Sequence, residues 1–124
     1  MNAIEAAARA LVGCRFRLHG RDPSTGLDCV GVVACATGVE APRGYALRGG
    51  SVDAVSAALA DLGFSAVNEA QAGDVLLMRA GPAQLHLAVR TCNGFVHADA
   101  GLRRVVERPG APDWEVLRVW RRLS

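Results

Sequence analysis

Residues 26–38 read GLDCVGVVACATG, and the rest of the chain is organised around this stretch. Asp28 is a good N-cap, the residues after it are small or apolar, and Gly38 suits the left-handed conformation that ends many helices. The pattern predicts a mostly buried helix with Cys29 in its first turn. Free backbone N–H groups and the helix dipole favour a thiolate there, which is the nucleophilic form of cysteine. An isolated cysteine in an apolar helix is more often a core residue. The histidines at the ends of predicted strands in the second half of the chain lead us to interpret Cys29 as a nucleophile instead.

Length and composition indicate a single domain that spans residues 1–124 and is long enough to bury a core. No apolar run is long enough to cross a membrane, and the N-terminus lacks the basic start and apolar segment of a secretory signal. We therefore expect the chain to be cytoplasmic as synthesised, or exported by a route that its sequence does not encode. The net charge of +2 indicates no particular anionic partner, and we expect no nucleic acid to bind. The cysteines and histidines lack metal-ligand spacing, so we expect reduced thiols, no metal and no other cofactor.

Three helices are predicted to precede the strands. They are residues 3–12, the helix after Asp28, and a helix that begins at Ser51 and ends at Gly63 beyond a Gly/Pro-rich connection. Residues 13–27 are expected to be irregular and to form one wall of a substrate cleft. The predicted strands are Asp74–Arg79, His86–Arg90, Phe95–Ala98, Leu102–Glu107 and Glu115–Trp120. Helices followed by strands with short turns predict an α+β domain with one antiparallel sheet.

The length of the turn after the second strand decides whether two histidines meet. An Asn-Gly pair marks this turn, and either even loop length places His86 and His97 on one face of the sheet. A two-residue loop would separate them by about 13 Å along the strands. A four-residue loop over residues 91–94 would pair Arg90 with Phe95 and make His97 a diagonal neighbour of His86. Only the four-residue loop brings His86 and His97 close enough to interact.

A cysteine beside a general base, with a third group orienting that base, is the arrangement used for covalent acyl transfer. We assign Cys29 as the nucleophile, His86 as the base and His97 as the orienting group. Asp99 is the alternative for the third role, because the longer loop places it directly across from His86. His19, in the irregular segment, is interpreted as a surface or cleft-wall residue.

Four segments, in this order, resemble the NlpC/P60 family of papain-like cysteine peptidases. They are Asp28-Cys29-Val30-Gly31, Gly73-Asp74-Val75-Leu76, His86-Leu87-Ala88-Val89 and Gly94-Phe95-Val96-His97-Ala98. The resemblance implies a papain-like α+β fold with three N-terminal helices packed on a five-stranded antiparallel sheet. It places the family's catalytic cysteine, histidine and third polar residue at Cys29, His86 and His97. It also implies hydrolysis of peptidoglycan stem peptides, commonly at bonds that join D-γ-glutamyl to a diamino acid.

Two departures from the family pattern bear on the substrate. The residue after the nucleophile is often serine in the family and is Val30 here. The family's Gly-x-x-Tyr segment reads Gly13-Cys14-Arg15-Phe16 here, so that Phe16 keeps the ring and lacks the hydroxyl. Asp28, Phe16 and Val30 are the candidate substrate-binding residues.

The same features leave several functions open. A short domain with an apolar residue after the cysteine looks like the phage-tail branch of the family, which implies delivery to the cell wall within a particle. A transamidase or deamidase on the same scaffold is one alternative to the peptidase. A non-catalytic structural or binding protein, such as a tail component, is the other.

Overall fold

The computed structural model describes residues 2–41, 47 and 50–122, and its helices and strands form an α+β architecture as predicted. The helices are α1 (Ala3–Ala10), α2 (Cys29–Thr37) and α3 (Val52–Asp61). The strands are β1 (Arg21–Asp22), β2 (Gly26–Leu27), β3 (Phe64–Val67), β4 (Val75–Gly81), β5 (Gln84–Arg90), β6 (Gly94–Asp99), β7 (Arg104–Pro109) and β8 (Glu115–Arg122). Strands β3 to β8 form one antiparallel sheet in the order β3-β8-β4-β5-β6-β7. No helix in the described ranges is long and apolar enough to cross a membrane.

The structure differs from the predicted architecture at the short strand β3 and at the β1–β2 hairpin. The sheet has six strands instead of five, because β3 pairs along β8 directly after the turn that ends α3. Residues 13–27 are not wholly irregular, since β1 and β2 form a small hairpin within them. Strands of two to four residues are too short to display an alternating pattern in the sequence. The Gly/Pro-rich connection predicted after α2 falls largely outside the described residues.

Helix α2 is buried on nearly every side, between α1 and β5. Its Asp28 cap accepts a hydrogen bond from the Gly31 N–H at 2.9 Å, and Gly38 ends the helix with φ of +76°. A helix without a polar face must lie in the core. This position places Cys29, its first residue, beside β5 in the interior of the sheet.

Close backbone packing holds the β1–β2 hairpin against α2. A Cβ atom on Gly31 would collide with the carbonyl oxygen of Gly20, and one on Gly20 would collide with the carbonyl of Gly26. These three glycines therefore allow the loop to lie directly on the first turn of α2. The loop becomes one wall of the cleft described below.

The β5–β6 loop has the four-residue register. Arg90 pairs with Phe95, the Thr91 N–H donates to the Gly94 carbonyl at 2.8 Å, and the Gly94 N–H donates to the Thr91 hydroxyl oxygen at 2.9 Å. A Cβ on Gly94 would collide with the carbonyl oxygen of Arg108 on β7. Glycine is needed there for close approach, and the register that brings the histidines together is confirmed.

The two faces of the sheet carry different clusters. Val89, Leu87 and Val96 belong to the main core under the helices. A smaller cluster on the opposite face consists of Leu76, Met78, Ala88 and Phe95. The partly buried Trp114 packs against this cluster. Side chains alternate along a strand, so His86 and His97 lie on this second face.

Candidate active site

A cleft of about 620 Å³ lies where the N-terminus of α2 meets β5 and β6. It is lined by all six residues that the sequence predicted for the site: Phe16, Asp28, Cys29, Val30, His86 and His97. His19 and Asp99 also line it, which agrees with the cleft-wall interpretation of His19. Segments that are distant in sequence therefore converge on one cavity.

Cys29 is held as a neutral thiol. The residue is only 7% exposed, and burial, with a smaller contribution from the charge of Asp28, raises the pKa of its thiol to about 12. The N–H of Leu87 on β5 faces the sulfur and offsets part of this increase. The N–H groups of Cys29 and Val30 at the helix N-terminus lower the thiol pKa as expected, but burial outweighs them and the net pKa is raised.

Asp28 competes with the Cys29 thiol for the positive end of α2 and adds a smaller contribution to the increase in pKa that burial causes. One carboxylate oxygen accepts from the Gly31 N–H at 2.9 Å and from Arg21 Nη1 at 2.7 Å. The other accepts from the His19 N–H at 2.9 Å. The Asp28 carboxylate thus occupies the positive end of α2, and its negative charge opposes a second one on the neighbouring sulfur.

His86 and His97 form a direct pair, with His86 Nε2 and His97 Nδ1 2.9 Å apart and their rings nearly perpendicular. Burial and, to a smaller extent, the neighbouring His97 together lower the pKa of His86 to about 4. Burial also lowers the pKa of His97, whose side chain is almost completely enclosed. Both imidazoles are therefore neutral near pH 7.

The position of Asp99 decides which nitrogen of each ring carries the proton. Asp99 Oδ2 lies 3.9 Å from His97 Nε2, which has no hydrogen-bond partner in the described part of the chain. The negative charge favours a proton on that nitrogen, so His97 Nδ1 accepts the hydrogen bond from His86 Nε2–H. This leaves His86 Nδ1 unprotonated, as a general base requires.

Two further residues of the cleft were missed by the sequence analysis. Trp114, in the turn before β8, packs edge-on against His86 and His97 with ring centroids 5.2 and 5.4 Å away. Arg21 forms a largely buried ion pair with Asp28. An aromatic residue within a Pro/Asp turn was the available signal for Trp114, whereas nothing local distinguishes Arg21 from the other thirteen arginines.

The arrangement offers general-base chemistry on a thiol. In the described residues, Cys29 Sγ makes no hydrogen bond to either histidine, so the resting site is a neutral thiol beside a neutral imidazole pair. No three His, Cys, Asp or Glu side chains among residues 2–41, 47 and 50–122 lie together as metal ligands do.

Comparison with known proteins agrees with this fold. No family model and no curated protein matches the chain, whereas solved structures do. The NlpC/P60 domain of the peptidoglycan hydrolase SagA is 28% identical, with a TM-score of 0.59 over 94% of this chain and 98% of that domain. The P60 domain of an antigen from M. avium subspecies paratuberculosis is 19% identical, with a TM-score of 0.63 over 98% of this chain and 93% of that one. The peptidoglycan hydrolase RipB from Mycobacterium tuberculosis is 22% identical, with a TM-score of 0.63 over 98% of this chain and 64% of that one.

The three neighbours belong to one class of protein among themselves. All three are NlpC/P60 domains or peptidoglycan hydrolases. The resemblance of this chain to the NlpC/P60 family, first seen in four sequence segments, is therefore confirmed.

Proposed function

We propose that this chain is a cell-wall hydrolase, specifically a cysteine endopeptidase or amidase that cleaves γ-glutamyl-type bonds of peptidoglycan stem peptides. The observation that carries the proposal is the convergence of Cys29 and the His86–His97 pair on one cleft. The SagA domain, which is similar over nearly its whole length, is described as part of a peptidoglycan hydrolase.

The proposed reaction begins with neutral groups. A thiol with a pKa of about 12 and an imidazole with a pKa of about 4 do not form an ion pair at rest. His86 Nδ1 therefore takes the thiol proton as the Cys29 sulfur attacks the scissile carbonyl carbon. His86 then gives this proton to the leaving amine, and an acyl-enzyme remains on Cys29. Water, deprotonated by His86, releases the acyl group and restores the thiol.

His97 and Asp99 support the charge that develops on His86. When His86 becomes an imidazolium, its Nε2–H donates to His97 Nδ1 at 2.9 Å. The Asp99 carboxylate lies on the other side of the His97 ring, 3.9 Å from Nε2. This chain of polar groups orients the base and stabilises its charged form. His97 thus acts as a positioning residue in the proposed mechanism.

The substrate-binding wall is more apolar than in the usual family pattern. Phe16 and Val30 line the cleft where the family often has tyrosine and serine hydroxyls. Asp28 already accepts three hydrogen bonds, from Arg21, His19 and Gly31. We expect Phe16 and Val30 to bind by apolar contact rather than by hydrogen bonding.

Product analysis tests the proposed reaction. Purified protein would be incubated with defined muropeptides, and the products identified by mass. Wild type and the control Cys35→Ala, which removes a thiol from the same helix, should release the same two fragments, and Cys29→Ala should release none. Failure of the wild type to cleave any γ-glutamyl-containing muropeptide would contradict the proposal. Added amine would appear in the product only if the reaction is transamidation.

The buried, protonated state of Cys29 favours one other function, a structural or binding protein that retains the fold. Alkylation with iodoacetamide at pH 7 separates the two, with Cys35 as the internal reference because its pKa is also raised by burial. A buried neutral thiol should react slowly in either case. In a peptidase, His86→Gln should slow the alkylation of Cys29 further relative to Cys35, because His86 takes the thiol proton, whereas in a structural protein it should leave the ratio unchanged. Membership of the phage-tail branch and delivery within a particle stay predictions.

A further inference from the structure

We propose that four arginines beside the cleft form a binding surface for the carboxylate groups of a polymeric peptidoglycan substrate. The arginine surface consists of Arg15, Arg17, Arg103 and Arg104. The inference rests on the proposed function and extends it from the scissile bond to the polymer around that bond.

Backbone hydrogen bonds bring these arginines together from two parts of the chain. The segment that follows α1 runs along the start of β7, with Gly13 N–H to Val105 O at 2.9 Å, Val105 N–H to Cys14 O at 2.8 Å and Phe16 N–H to Arg103 O at 2.9 Å. Arg15 and Arg104 face each other as an antiparallel bridge. Residues that face each other across such a bridge project to the same side.

The positive charge of this surface is not neutralised. All four arginines are exposed, and within the described residues none of them forms an ion pair. Three arginines elsewhere do have partners: Arg9 with Glu107, Arg21 with Asp28 and Arg121 with Asp74. Asp99 faces Arg104 across the strands, but its oxygens are directed to the Leu102 N–H and toward His97.

The surface adjoins the mouth of the cleft. Phe16 lies between Arg15 and Arg17 and lines the cleft, as does Asp99 beside Arg104. Two of the most exposed large apolar side chains, Leu18 at 68% and Leu102 at 57%, lie on the same two segments. A substrate that leaves the cleft here meets a surface that is both basic and apolar.

The chemistry of the proposed substrate matches this surface. A glutamyl residue linked through its γ-carbonyl keeps its α-carboxylate free, so every repeat of such a polymer carries negative charge beside aliphatic groups. Guanidinium groups bind carboxylates with paired N–H donors. Several weak contacts on one polymer then add to a useful affinity.

The backbone of Arg103 supports a role for its side chain. Its φ of +61° lies in the left-handed region, which is strained for a residue that carries a Cβ atom. A glycine would relieve this strain and remove the charge. Arg103→Gly is therefore expected to leave the fold at least as stable while weakening binding to the polymer.

The test measures binding separately from hydrolysis. Purified insoluble peptidoglycan would be titrated with Cys29→Ala protein, with and without Arg15→Gln, Arg17→Gln and Arg104→Gln. The triple substitution should weaken binding roughly tenfold, because each exposed charge pair contributes a fraction of a kcal/mol. Arg118→Gln is the matched control, since this exposed arginine lies on β8, four strand spacings or about 19 Å from β7.

Three outcomes decide the inference. Weaker binding by the triple variant, with unchanged binding by Arg118→Gln, supports the inference. An equally large loss of affinity when Cys29→Ala protein with all its arginines is titrated against peptidoglycan whose carboxylates have been amidated supports it as well. Equal binding by the triple variant and the control would overturn it. The assay uses Cys29→Ala protein, so the binding result does not depend on whether the wild type cleaves the polymer. A failure of hydrolysis alone would contradict only the proposed function.

Discussion

His86 is a base that the fold keeps neutral over a wide pH range. A general base works in its unprotonated form, and burial moves the pKa of His86 down to about 4 from a usual value near 6.5. The acid side of the pH–rate profile should therefore have its midpoint near this lowered pKa. The sequence alone predicts activity that rises near neutral pH, because it does not reveal how deeply the imidazole is buried.

We expect kcat/KM of the wild type to rise with pH through a midpoint near 4 and to stay level through neutrality. His97→Ala should move the midpoint up toward 6.5, since water would enter and the neighbouring imidazole would be lost. The measurement is a pH–rate profile between pH 3.5 and 8 for both proteins, with unfolding monitored at each pH. A wild-type midpoint at 6.5 or above would show that His86 is not held in this environment.

The third residue can be tested by paired substitutions. His97 contacts His86 at 2.9 Å, whereas Asp99 reaches the base only through His97. His97→Ala should lower kcat by roughly ten- to ten-thousandfold, and Asp99→Ala by less. Asp99→Asn is the control, because it removes the charge and keeps an oxygen that can accept the hydrogen bond from the Leu102 N–H in the turn. A large loss in Asp99→Ala with near-normal His97→Ala would reverse the two roles.

At the scale of elements, helix α2 and the strands β5 and β6 were predictable because each depends on a local signal, whereas the sequence left two loop lengths open and the structure decides for the four-residue loop. The Asp cap, the apolar run and the terminal glycine define α2, and the alternating pattern on either side of Asn93-Gly94 defines two strands. The short strands β1, β2 and β3 carry no such pattern. The raised pKa of Cys29 depends on burial beneath β5, and the packing of Trp114 on the histidines depends on a distant turn. Neither is encoded locally.

Glu5 links α1 to the loop that sets the histidine register. Its buried carboxylate accepts the Cys92 N–H at 2.6 Å, and this bond lowers the pKa of Glu5. Loss of the acceptor would remove a charge-assisted hydrogen bond to the partly buried Cys92 N–H, so Glu5→Ala should reduce the free energy of unfolding by about 1–3 kcal/mol. Urea denaturation at pH 7 measures this, with Glu5→Gln as a control that keeps an acceptor. Equal stability of Glu5→Ala and wild type would mean that the loop is fixed by its other contacts.

At the scale of the whole molecule, burial of neutral histidines makes the fold sensitive to acid. The folded pKa values of His86 and His97 lie below the unfolded value, so the unfolded chain binds protons first as the pH falls. The stability is therefore complete above about pH 6.5 and is lost progressively toward pH 4.

We expect the shift at His86 alone to remove about 3 kcal/mol of stability between pH 7 and pH 4. Urea midpoints at several pH values provide the measurement. His86→Gln should flatten the dependence, since glutamine carries no titrating group. A wild-type curve as flat as that of His86→Gln would contradict the burial of a neutral imidazole.

The central claim, that Cys29 is a nucleophile in acyl transfer, is tested most directly by trapping the intermediate. Wild-type protein would be mixed with a defined γ-glutamyl muropeptide, quenched in acid within the first turnover and measured as intact protein by mass spectrometry. We expect a mass increase equal to the acyl fragment, mapped to Cys29, in the wild type and in Cys35→Ala, and none in Cys29→Ala. Cleavage of the muropeptide at the wild-type rate by Cys29→Ala, with no adduct on the wild type at any quench time, would contradict it.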